Sequence, residues 1–156
     1  MKFVKQTGKG LHYQLSPQEV QSLCYLVDQF PITTLSAVKI SKTDPGMLER
    51  EKLLNESLAA HRDELKHKAE TLVARDKFKK PGNDYLFRIN YEEREILLQI
   101  LNDIRVESWR SLGEPENLEI PTPDLPKDKF KHYQFMHLAG YFEYHFLNLE
   151  KQPGED

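Results

Sequence analysis

A single cysteine, Cys24, is all the chain offers for cross-linking, so no internal disulfide holds it together. Stability must come from a hydrophobic core, and 156 residues, 38% of them hydrophobic, suffice for one domain and are too few for two ordinary ones. No segment approaches the roughly 18 consecutive apolar residues of a membrane span, and the opening MKFVKQTGKG is too broken by charge to act as a secretory leader. Neither sign of charge dominates. A formal net charge of −3 provides no basic field to draw the chain onto nucleic acid or an anionic membrane. Glycine-rich phosphate loops, nucleophile elbows and paired-cysteine metal sites are absent as well. These absences predict a cytoplasmic domain over residues 1–150, with no cofactor, no membrane and no nucleic-acid partner, followed by a disordered tail at 151–156. Cys24 falls on the apolar face of a predicted helix and is expected as a buried, inert thiol.

What is present is organised around NYEEREILLQILNDIRVESWRSLG, residues 90–113. Asn90 is an N-cap with Glu93 as its capping-box partner, and Gly113 suits the left-handed residue that closes a helix. Between them Ile96, Leu97, Leu98, Ile100, Leu101, Ile104, Ser108, Trp109 and Leu112 share one broad arc, wide enough for several neighbours. Arg105 is set in that arc between Leu98 and Leu112, with Asn102 at its margin. A guanidinium there requires an acceptor, because an unpaired buried charge costs several kcal/mol.

The rest of the chain predicts a mainly α fold. KFVKQ and LHYQL form a β-hairpin around Thr7–Gly10, and YLFRI (85–89) can add a third strand. Ser16-Pro17-Gln18-Glu19 starts a helix that runs to Phe30 and is ended by Pro31. Asp44-Pro45-Gly46 opens another, extended to Asp76, with a narrow apolar stripe of Met47, Leu54, Leu58, Leu65, Ala69 and Leu72. Arg75, Lys77, Lys79 and Lys80 follow as favourable charge at that helix's C-terminus and a solvated turn. Phosphate or nucleic-acid contact is the less favoured reading, since Phe78 alone is interleaved. Four of the nine prolines fall between residues 114 and 127, which predicts an extended surface connection. The final helix, 128–149, is apolar nearly all round: Phe135, Leu138, Ala139, Phe142, Phe146 and Leu149 form one stripe, and Tyr133, Met136, Gly140, Tyr144 and Leu147 form a second. The expected architecture is a four-helix bundle-like domain, with helices at 17–30, 45–76, 91–112 and 128–149, beside a small antiparallel sheet of two or three strands built on the N-terminal hairpin.

Leu101-Asn102-Asp103-Ile104-Arg105 and the later Ser111-Leu112-Gly113 resemble a family of small helical bacterial proteins catalogued as a domain of unknown function. Its members carry a tryptophan helix reading LNDLR…LG. Trp109 follows the LND segment here, whereas family members place the tryptophan before it. The resemblance implies a cytoplasmic setting without an established activity, and genes often beside the ClpS adaptor of an ATP-dependent protease.

Three functional readings follow. The favoured one is a non-enzymatic protein–protein interaction or adaptor module, as a homodimer or with a partner helix. Its surface would be the stripe Tyr133, Met136, Gly140, Tyr144 and Leu147, where Gly140 admits a close backbone. The alternative is an anionic-ligand binder centred on Arg105, Asn102 and Trp109. A metal-dependent bundle enzyme ranks last: Glu64-Leu-Lys-His67 and nearby His61 have suitable spacing, but they lie off the apolar stripe and lack a matching second pair, so no metal is expected.

Overall fold

A computed structural model describes residues 1–32 and 45–149 of the chain. The tail at 151–156 and the proposed cap Asp44 lie outside these residues. Strands β1 (Lys2–Thr7), β2 (Gly10–Leu15), β3 (Phe78–Lys79) and β4 (Tyr85–Ile89) form one antiparallel sheet in the order β1-β2-β4-β3. YLFRI takes its expected place beside β2, and Phe78–Lys79 adds a fourth strand that no periodicity announces. Helices α1 (Pro17–Asp28), α2 (Pro45–Leu72), α3 (Tyr91–Ser111) and α4 (Phe130–Leu147) make the fold mainly α with an N-terminal hairpin.

The helix ends follow from their caps. Ser16 Oγ accepts the Glu19 N–H while the Glu19 carboxylate accepts the Ser16 N–H, which closes the capping box of α1. Asn90 Oδ1 accepts the Glu93 N–H at 2.8 Å. At the other end of α3, Gly113 (φ 86°) donates to the Arg110 carbonyl and Glu114 donates to the Trp109 carbonyl, the two bonds of a Schellman motif.

One face of the sheet presents Leu11, Tyr13, Leu15, Phe87 and Ile89 to the core, where they meet Leu23 and Leu26 of α1, Leu97, Ile100, Leu101 and Ile104 of α3, and Phe142 and Phe146 of α4. The fully buried Tyr13 donates its hydroxyl to the Phe146 carbonyl at 3.0 Å, tying the sheet to the end of α4. α3 and α4 are the most extensively packed helix pair. The expected α2 stripe is only half realised. Leu65, Ala69 and Leu72 are buried and Lys66 Nζ donates to the Asp28 carbonyl at the end of α1, but Leu54 is exposed, as are its neighbours Leu48 and Leu53. Its 28 residues span about 42 Å, and its buried residues, Leu65, Ala69 and Leu72, all lie in the C-terminal half. α2 also stops at Leu72, short of the expected Asp76: the 3-10 turn Arg75–Lys77 leads into β3 instead.

Candidate functional site

The site is a groove along α4. The Schellman turn leaves Glu114 at φ 56° and directs the proline-rich connection back across α3. Trp109 Nε1 donates to the Pro115 carbonyl at 3.0 Å, and His137 Nε2 donates to the Leu118 carbonyl at the same distance, so the connection is pinned to α3 and then to α4. Beneath and beside this strap lie two adjoining cavities. One, of about 530 Å³, is lined by Arg105, Val106, Trp109 and Leu118 on one side and Met136, His137, Gly140 and Tyr141 on the other. The other, of about 1050 Å³, is lined by residues that include Tyr25, Ile120, Phe130 and Tyr133, and it shares His137 and Tyr141 with the first.

The residues singled out in the sequence are therefore partly gathered. Arg105, Trp109, Met136 and Gly140 line one cavity, and Tyr133 lines its neighbour. Arg105 does not lie within the buried arc, however. Leu97, Ile100, Leu101, Ile104 and Ser108 mark the centre of that arc, which leaves Arg105 on its flank with its side chain 45% exposed. Its Nε is 3.2 Å from Glu143 Oε1 of α4, and its Nη2 donates to Asn102 Oδ1 at 2.9 Å. Asn102 is exposed and serves Arg105 outside the cavity lining. Burial pushes the Glu143 carboxyl above its usual range, against the pull of Arg105.

The second α4 stripe is divided in a way its spacing does not reveal. Met136 is buried, while Tyr144 and Leu147 are exposed. Gly140 faces α3 of the same chain without a close backbone approach: a Cβ there would meet only the Arg105 side chain, its Cδ at 3.9 Å.

Two polar centres escape the sequence reading. Glu107, on the buried face of α3, is only 3% exposed; Arg62 of α2 reaches it at 3.4 Å and also bonds Asp103, and Arg110 approaches from the next turn at 3.2 Å. Burial raises its carboxyl pKa, with both arginines opposing and Asp103 assisting. Its position inside the apolar arc of α3, between Ile96 and Ile100 on the helical wheel, is the signal in the sequence that identifies it. The second centre is Tyr141, whose hydroxyl donates to Glu19 at 2.7 Å; the Met1 amine also contacts this carboxylate. Burial alone would raise the Glu19 carboxyl, but bonds from the amine, the Ser16 N–H and Tyr141 outweigh it and hold the pKa at about 2. Tyr141, conversely, is pushed up to about 12 by burial and by Glu19.

The metal-type spacing lies elsewhere. His61, Glu64 and His67 are exposed on α2, Glu64 pairs with Lys68 at 3.1 Å, and no cluster of three or more potential metal ligands occurs among the described residues. Cys24 is half-buried, where the sequence suggested full burial, and its thiol is pushed up by burial and by Asp28. No described helix is long and apolar enough to cross a membrane. No family model, curated protein or solved structure matches the chain.

Proposed function

We propose that the protein is a non-enzymatic interaction module, of adaptor type, that takes an apolar side chain of a partner polypeptide into the α3–α4 groove. The supporting observation is that four of the ten exposed large hydrophobics among the described residues, Tyr25, Leu118, Phe130 and Tyr141, converge on the two adjoining cavities, whereas Tyr144 and Leu147 of α4 lie outside them. Exposed apolar residues scattered singly need no explanation, but a contiguous trough rimmed by tyrosines has the composition of a protein-binding surface. The pairing of Arg105 with Glu143 and Asn102 favours a polypeptide over the anionic-ligand reading, because an external anion would have to compete with an acceptor already in place. A helix laying one apolar face into a groove suits this shape.

Selection of peptides from a random library on the immobilised protein tests the reading, with each recovered peptide measured against wild type and Gly140→Leu. Gly140 lines the cavity and a first added carbon there meets only ordinary contact, so the substitution narrows the cavity, and a melting curve checks that the variant folds. Recovered peptides rich in Leu, Phe or Trp, with binding weakened about tenfold by Gly140→Leu, support the proposal. Peptides without apolar anchors, or binding indifferent to the variant, refute it. A second copy of the chain as occupant would appear as a dimer in light scattering that Gly140→Leu dissociates.

A further inference from the structure

The early end of α2 relocates the basic residues that the sequence assigned to its C-terminus. The turn Arg75–Lys77 and strand β3 bring Lys77 beside the sheet and Lys79 into it, where Lys79 pairs with Leu86 of β4. In the same sheet His12 pairs with Arg88 of β4 on one side and Lys5 of β1 on the other. Since Leu11, Tyr13, Phe87 and Ile89 point into the core, the alternate residues His12 and Arg88 stand on the opposite face. There a cavity of about 210 Å³ is lined by His12, Asp76, Lys77, Lys79, Leu86 and Arg88.

The charges in this cavity are unequally satisfied. Lys77 is held by Glu93 at 3.1 Å, whereas Lys79 and Arg88 make no ion pair among the described residues. His12 is 8% exposed; its Nε2 is 3.2 Å from Thr7 Oγ1 and its Nδ1 has no partner among the described residues. Burial first, and the charges of Lys5 and Arg88 after it, hold its pKa below the ordinary value. Asp76 is the one carboxylate in the wall.

We propose that this cavity binds an oxyanion the size of a phosphate group, with Arg88 and Lys79 donating charge-assisted hydrogen bonds, His12 at the wall and Asp76 accepting the O–H of a hydrogen phosphate. The volume is below the roughly 300 Å³ at which pockets for drug-sized ligands begin, so a phosphate group fits and a nucleoside attached to it lies outside. Nucleic acid is further disfavoured by the neighbouring rings: Phe78 is stacked on Phe87 at 4.5 Å and Lys80 lies over Tyr85 at 5.3 Å. One face of each of these rings is therefore already covered, which reduces the surface on which bases could stack. The site is independent of the α3–α4 groove, and it stands or falls separately.

The test is a titration of the full chain with inorganic phosphate at constant ionic strength, following the imidazole nitrogens of His12 by NMR. Saturable movement of these signals is expected, weakened about tenfold or more in Arg88→Gln and in Lys79→Gln, with sulfate, which lacks the O–H, binding less tightly than phosphate. Both substituted side chains are exposed, so each variant folds, and the melting curve checks this. Absence of saturable movement, movement unchanged in both variants, or sulfate binding as tight as phosphate overturns the proposal. A single-stranded oligonucleotide that binds through Arg88 while phosphate does not would also overturn it.

Discussion

Arg105 and Glu143 face one another across the α3–α4 contact, Nε to Oε1 at 3.2 Å, with the arginine side chain 45% exposed and the glutamate 16%. The asymmetry decides what each contributes. A half-exposed guanidinium loses little when its partner is removed, whereas the more deeply set carboxylate depends on the pair. Arg105→Leu is expected to lower stability by about 1 kcal/mol in urea unfolding, and Arg105→Leu with Glu143→Gln to recover more than half of that. A loss above about 3 kcal/mol would mean that Arg105 is the buried keystone its sequence position suggested.

Glu107 should shape the pH profile. Its carboxyl pKa is raised on folding, so its contribution is fully present below the unfolded value and is lost as pH rises through the folded value. Glu107→Gln removes that dependence. The variant should therefore gain on wild type as pH climbs from 4 to 7, by up to about 1 kcal/mol at neutrality, as read from urea midpoints at several pH values.

Glu19 runs the other way. Its folded pKa of about 2 lies below the ordinary 4.5, so its stabilisation is complete above the unfolded value and fades as pH falls toward 2. Glu19→Gln should cost about 1–2 kcal/mol at neutral pH and progressively less below pH 4. Thermal melts of both proteins across that range check it.

Gly10 begins β2 at φ 134°, and a Cβ built there would stand 2.5 Å from the Ile89 carbonyl oxygen of the paired strand. Neither the conformation nor the space admits a side chain. Gly10→Ala is expected to cost about 2–3 kcal/mol, measurable as a drop in melting temperature.

The parts of this fold governed by local chemistry were legible. Ser16-Pro17-Glu19, Asn90 with Glu93, and Gly113 each mark a helix end through bonds to adjacent backbone, and the structure places those ends within a residue or two of the expected ones. What long-range contact decides was not. Whether Lys77 continues a helix or turns into a sheet depends on Glu93 and β4, and whether Gly140 faces a partner or Arg105 depends on where α3 crosses α4. The candidate site shared this split: Arg105, Trp109, Met136 and Gly140 were named individually, yet the strap that joins them rests on Pro115 and Leu118 carbonyls, which no side-chain pattern advertises.

Trp109, the chain's one tryptophan, lines the α3–α4 groove and reports directly on the proposed entry of an apolar side chain. The decisive measurement is Trp109 emission during titration with an amphipathic helical peptide selected for binding. A saturable blue shift or quench is expected, weakened about tenfold by Gly140→Leu. Binding that leaves Trp109 emission unchanged, or that Gly140→Leu does not affect, would contradict it.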